Sequence, residues 1–278
     1  MTTPLFDFLI AIASFGAGLL GALIGLGGGI IVTPLLVLGF GIDIRYAMGA
    51  ALCSVIATSS GAAAAYLRDG ISNMRVGLFL SLATTSGAIC GAFASTLMNP
   101  AVLAVIFGLA LLSTVVLSLR KQKLGTVAVE NSDPLAVKLR LPGEFPTPSG
   151  IVQYGVAALI PGTFVMWIAG VLSGLLGIGS GAFKVLAMDQ IMRLPFKVTT
   201  ATSNFMIGVT AAASVGMYLK KGYIDPVLVA PVALGVLAGA FLGAKLLPIV
   251  PVKVLRVIFL TAVLVIAIQM ILHGIGTL

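Results

Sequence analysis

Apolar residues along this chain come in runs of membrane-crossing length, or about half of it, separated by short breaks of glycine, proline and charge. The first set covers residues 5–24, 30–40, 47–66, 76–98 and 101–119; the second covers 157–176, 182–192, 198–218, 227–247 and 254–272. Between them lies one polar stretch, residues 120–150, holding Arg120, Lys121, Lys123, Glu130, Asp133, Lys138, Arg140, Glu144 and four prolines. A crossing helix needs about 20 apolar residues, so the pattern predicts eight to ten membrane helices, some broken or half-length. It divides the chain into a first membrane repeat at 1–119, a polar linker at 120–150 and a second membrane repeat at 151–278.

Composition agrees with the pattern. Of 278 residues, 59% are hydrophobic and 9% charged, and the mean hydropathy is +1.19, outside the range of a soluble globular domain. The expected class is an all-α integral membrane protein with the lipid bilayer as its surroundings. The formal net charge of +8 sits at the ends of apolar runs, where basic residues act as topology signals, so no nucleic-acid partner is expected. Cys53 and Cys90 lie inside apolar runs without CxxC spacing and read as small packing residues. The N-terminus, MTTPLFDFLI, lacks a basic n-region and a small-residue cleavage pattern, and reads as a first membrane segment.

The two sets are copies of each other. Sliding the chain by 152 residues superposes Gly25, Gly27 and Gly29 on Gly177, Gly179 and Gly181, Tyr66-Leu67 on Tyr218-Leu219, Gly70 on Gly222, and Gly87-Ala88 on Gly239-Ala240. Five crossings per copy turn the second copy over, whereas four leave it upright. On five crossings one side collects Arg68, Arg75, Arg120, Lys121, Lys123, Lys138, Arg140, Arg193, Lys197, Lys245, Lys253 and Arg256, and the other has Arg45, Lys220 and Lys221. The positive-inside rule then predicts two inverted-topology repeats of about five segments each, with a cytoplasmic linker and both termini outside. Residues 5–40 reach only about 54 Å as continuous helix, short of the roughly 60 Å for two crossings, so segments in this pair are expected to be half-helices.

The shortfall coincides with GLGGG at Gly25 to Gly29 and, one copy later, GIGSG at Gly177 to Gly181. Glycine costs roughly 1 kcal/mol relative to alanine in a helix interior, so these runs predict unwound backbone. Thr33-Pro34 suits an N-cap and a first helical position, which places the restart of the first half-helix at Thr33. Unwound backbone at membrane depth is tolerated where it lines a cavity, and a helix N-terminus favours anions. Two such breaks brought together would form one substrate pocket from Gly25, Gly27, Gly28, Gly29, Thr33, Gly177, Gly179 and Gly181. The second copy adds Ser180 where the first has Gly28, and Lys184 where it has Val32. An intramembrane lysine is a functional candidate; the alternative is snorkelling or pairing with Asp189. Thr202, Ser203 and Asn204 put three polar side chains early in an apolar helix, and either contact substrate or bond their own helix backbone. Gly16, Gly21, Gly87, Gly91, Gly239 and Gly243 read as close-packing positions of the small-xxx-small type.

No catalytic or metal-binding constellation occurs: the single histidine, His273, stands alone near the C-terminus, so neither an enzyme nor a cofactor is expected. With GLGGGIIVTPLL near the N-terminus, and GLLGIGSGAFKV and ATSNFMIG in the second half, the chain resembles the TauE/SafE sulfite exporter family across nearly its whole length. The resemblance implies a permease for a small sulfur-containing anion such as sulfite, thiosulfate or a sulfonate; alternating access around the two breaks is its expected mechanism, and an interior-negative potential favours outward movement across the cell membrane. A transporter or channel for another small solute, an amino acid or a cation, remains open. So do a non-transporting membrane partner of a sulfur-handling enzyme and assembly as a homodimer.

Overall fold

The computed structural model describes residues 3–24, 29–68, 70–119, 129–147, 150–246 and 252–277. The first half consists of α1 (Thr3–Ile24), a short α2 (Gly29–Pro34) that continues as a π-helical turn (Leu35–Gly39), α3 (Ile44–Arg68), α4 (Met74–Leu97) and α5 (Pro100–Leu119). The second half holds α7 (Leu159–Leu176), a short α8 (Gly181–Leu186) with its own π turn (Ala187–Ile191), α9 (Phe196–Lys220), α10 (Pro226–Leu246) and α11 (Val252–Thr277). The offset of 152 read from the glycines recurs in the backbone. Gly29 and Gly181 open the short helices, Ile44 and Phe196 open α3 and α9, Arg68 and Lys220 close them, and Pro100 and Val252 open α5 and α11.

The most extensive helix packing runs across the halves: α1 against α10, α4 against α7, α5 against α11 and α3 against α9. Glycine permits the close approach. A Cβ at Gly87 or Gly91 would overlap the Trp167 or Val171 carbonyl, one at Gly170 or Gly174 would overlap that of Thr84 or Ala88, and one at Gly239 would overlap that of Phe15. Gly16 departs from its expected packing role, because nothing lies within 4 Å of a Cβ built there. The same contacts give direction. Rising numbers on α4 meet rising numbers on α7, and α1 and α10 behave alike, whereas Gly108 meets Ala267 and Ile271 while Gly274 meets Ala101 and Val105. α5 and α11 therefore run antiparallel.

Large apolar side chains on the outer faces of these helices are exposed, among them Ile12, Leu82, Phe93, Phe164, Trp167 and Phe241. Serine and threonine side chains are buried in their place, with Ser14, Thr33, Ser54, Thr84, Ser173 and Thr210 wholly inside. A greasy exterior around a polar-bearing interior is the distribution expected in lipid. By length and composition Met74–Leu97 and Leu159–Leu176 can cross a membrane, and shorter apolar helices occur at Leu5–Gly21, Gly29–Gly39, Pro100–Val116, Pro226–Leu242 and Val263–Gly276. Cys90 is exposed rather than packed, while Cys53 is half-buried; both are free thiols.

The described part of the linker is ordered. A 3-10 turn (Val129–Asn131) and α6 (Pro134–Lys138) precede a hairpin of β1 (Gly143–Thr147) and β2 (Gly150–Tyr154), the one departure from all-α structure among the described residues. Asp133 caps α6 by accepting from the Leu135 N–H at 3.0 Å, and its other oxygen accepts from the N–H of Leu159, the first residue of α7, at 3.1 Å. Asn73 caps α4 by accepting from the Val76 N–H and donates its amide to the Leu141 carbonyl at 2.9 Å and the Tyr154 hydroxyl at 2.8 Å. Burial pushes the Tyr154 phenol above its ordinary value, and the Asn73 hydrogen bond draws it part of the way back.

Candidate functional site

The second break is visible in full. α7 ends at Gly177, whose N–H bonds the Ser173 carbonyl at 2.9 Å, and Gly177, Gly179 and Ser180 have φ of +66°, +71° and +44°. This left-handed region is open to glycine and strained for a serine. Ser180 is held there by donating its hydroxyl to the Ala169 carbonyl at 2.6 Å. The chain re-enters a helix at Gly181.

In the first copy Gly25, Gly27 and Gly28 lie outside the described residues. Gly29 is described, and it opens α2, which corrects the expected restart at Thr33-Pro34. Thr33 and Pro34 are the last two residues of the α-helical stretch. The second copy takes the same path with Val185 and Leu186 at these positions, so the proline does not set the break.

The start of the first short helix meets the second break. A Cβ added at Gly29 would lie 2.6 Å from the Val55 side chain, 3.4 Å from the Gly177 carbonyl oxygen and 3.6 Å from the Ile178 Cα. Gly177 sits against Met48 of α3, and Gly179 against Ile207 of α9 and Val55 of α3. The paired helices α3 and α9 therefore form walls for the second break, and α3 also meets Gly29.

Lys184 is wholly buried beside this junction. Its side chain donates to the Thr210 hydroxyl at 2.5 Å and to the Met206 carbonyl at 3.4 Å. Asp189 is not its partner, and no carboxylate among the described residues pairs with it. Snorkelling is likewise not observed, since the ammonium end lies between helices. Two further hydroxyls, of Thr33 and Ser173, are buried with no hydrogen-bond partner among the described residues. A buried hydroxyl left unsatisfied costs about 1–3 kcal/mol, and Ser14 and Ser81 are buried in the same state.

The polar triplet on α9 separates. Ser203 donates to the Gly181 carbonyl at 3.4 Å and so touches the break. Thr202 faces the linker side, accepting from the Asn73 N–H at 3.0 Å, and Asn204 donates its amide to Thr200 of its own helix at 3.1 Å. Thr210, which the sequence reading did not single out, is the nearest group to Lys184. A signal for it existed: Thr58 and Thr210 are identical at the offset of 152. A separate cleft of about 280 Å³ opens at the far end of the first half-helix, lined by Val37, Ile42, Asp43, Asn99, Ala104 and His273 among others. It does not include Lys184.

The model of the sulfite exporter TauE/SafE family matches residues 10–270. The chain belongs to this family. Among its TauE/SafE relatives, the probable membrane transporter protein YdhB of Bacillus subtilis (strain 168) is 30% identical over 255 residues, covering 91% of this chain and 96% of that protein. The probable membrane transporter protein YunE of the same organism is 26% identical over 274 residues, covering 96% and 98%. No solved structure matches the chain. Membership makes this TauE/SafE chain a membrane-embedded protein of a transporter family, and its substrate a small solute.

Proposed function

We propose that the chain is a permease for a small sulfur-containing anion, such as sulfite, thiosulfate or a sulfonate, with its central site where the two helix breaks meet. The observation that carries this reading is Lys184, an amine-bearing side chain fully buried beside the junction with no carboxylate partner among the described residues, so that whenever it is protonated its charge is uncompensated. An uncompensated charge in the membrane interior is costly, and an anion bound at the junction supplies the missing counter-charge. Ser203 adds a hydroxyl at the break, and α2 and α7 carry the Thr33 and Ser173 hydroxyls, buried without a partner among the described residues. With the interior negative, the membrane potential favours outward movement of an anion moving alone by about 2.3 kcal/mol per charge at 100 mV.

The architecture proposed with it is a pair of inverted repeats, 1–119 and 151–278, that exchange access around the fixed site. Two observations support inversion: α5 runs antiparallel to α11, its counterpart at the offset of 152, and the basic residues divide twelve to three. The linker is then cytoplasmic and both termini face outward. Reporter fusions at the termini and at residue 135 test this, and a cytoplasmic C-terminus contradicts it.

Purified protein in liposomes tests the function itself, with radiolabelled sulfite, sulfoacetate, chloride and a cation panel. The reading predicts saturable movement of sulfite or sulfoacetate. Selective cation movement overturns it, and an absence of all flux with retained binding to a sulfur-handling enzyme points to a non-transporting component.

A further inference from the structure

The hydrogen bonds around Lys184 bear on what travels with the substrate. Thr210 directs its own hydroxyl hydrogen to the Met206 carbonyl at 2.7 Å or the Ile207 carbonyl at 3.0 Å, so toward Lys184 it accepts. With the Met206 carbonyl, Nζ has two acceptors in the described protein. A neutral amine has two N–H groups and fills both; an ammonium has three. Its third N–H finds no acceptor among the described residues.

No neighbouring charge makes up the difference. The elements packed against α8 are α7, α9 and the second π turn. α7 carries no ionisable side chain. α9 carries Lys197 near its start and Tyr218 and Lys220 near its end; both lysines are exposed, and the Tyr218 hydroxyl is engaged with Ser95 and the Gly174 carbonyl. The π turn carries Asp189, which makes no ion pair with Nζ. An ammonium enclosed here without a counter-ion would carry a penalty of several kcal/mol, whereas an amine is satisfied.

From this geometry we infer that Lys184 is neutral in the empty protein and binds a proton together with the anion, so that each anion crosses with one proton. The inference rests on the anion-permease reading and adds a second transported species to the same site. On loading, the Nζ lone pair takes a proton from the water that delivers the anion, and the new N–H bonds the anion. On release, that proton returns to water on the opposite side and Nζ goes back as an amine. A monovalent anion then crosses without net charge, and a divalent one with a single negative charge.

The test uses sulfoacetate and thiosulfate, both fully ionised near neutral pH, as probes in liposomes holding the intact protein, a pH-sensitive dye and a potassium clamp on the potential. The wild-type protein is expected to move about one proton and a net charge of about one per dianion, the capacity of a single amine. Lys184→Arg keeps a permanent cation; it is expected to retain anion-for-anion exchange while net flux falls more than about tenfold, because the empty carrier must return charged. Lys184→Gln is expected to lose the proton movement and to carry two charges per dianion. Wild-type flux of either anion with no proton overturns the coupling and leaves the anion permease standing. If neither anion moves, the coupling falls, and if sulfite does not move either, the sulfur-anion reading falls with it.

Discussion

Residues 29–39 and 181–191 follow one backbone path, six α-helical residues and then five π-helical ones, yet they carry different chemistry and meet different surroundings. The first presents Val32 and an unpartnered Thr33; the second presents Lys184, preceded by the strained Ser180. The first ends at the cleft lined by Asp43 and Asn99. The second ends in an apolar cluster where Ala187, Met188 and Met192 pack with the linker residues Ala136, Leu141, Phe145, Tyr154 and Val156. Shape is duplicated while charge and covering are not. On the proposed reading the repeated backbone makes a place for the anion, and one half alone supplies the lysine that meets it.

Packing that both halves share should respond equally to damage. Gly87→Leu and Gly239→Leu, which are counterparts, each drive a side chain into a backbone carbonyl of the facing helix. Each should cost about 3 kcal/mol or more, seen as loss of monodisperse protein or a large drop in melting temperature in detergent. Gly16→Ala, with open space around it, should be neutral or stabilising by up to about 1 kcal/mol. A tolerant Gly239 beside an intolerant Gly87 would break the equivalence of the two helix pairs.

Exchanging residues between the copies sharpens the difference. Ser180→Ala removes the 2.6 Å hydrogen bond to Ala169 and keeps the left-handed backbone, so it should destabilise by about 1–2 kcal/mol. Ser180→Gly installs the first copy's residue, and relief of strain should hold its effect within about 1 kcal/mol. Thr33→Val installs the second copy's residue and removes a buried hydroxyl without a partner. Thermal stability should rise by up to about 1 kcal/mol while anion affinity falls. A rise in affinity would remove Thr33 from the site.

The smallest effect concerns the segment around Tyr154 that packs against the end of the second short helix. Because the Tyr154 phenol is raised above its ordinary value of 10.0, its contribution to docking is complete below that value and is lost as pH climbs through the raised one. Protease protection of the linker should therefore weaken at strongly alkaline pH. Tyr154→Phe should flatten that step.

Much of this arrangement was legible in the sequence because glycine positions survive duplication: a single offset located the copies, and the helix boundaries obey it. Lys184 was legible because a lysine in an apolar run has few structural excuses. Thr33-Pro34 misled, since capping preferences describe a helix that starts at the capping residue, whereas here the helix already begins at Gly29. The π turns left no signature, because a change from i→i+4 to i→i+5 bonding is made by the backbone. The hairpin at residues 143–154 was hidden in a stretch whose charge and prolines read as linker. Thr202 and Asn204 show that adjacent polar residues on a helix face different ways, which composition does not report.

The most direct measurement compares concentration-dependent sulfite flux in liposomes for the wild type, Lys184→Ala and its counterpart Val32→Ala. A site charged by one half predicts that Lys184→Ala raises the half-saturating concentration about tenfold or more, equivalent to about 1.4 kcal/mol, with insertion and folding intact, and that Val32→Ala changes it little. Equal half-saturation in Lys184→Ala and the wild type would contradict the account.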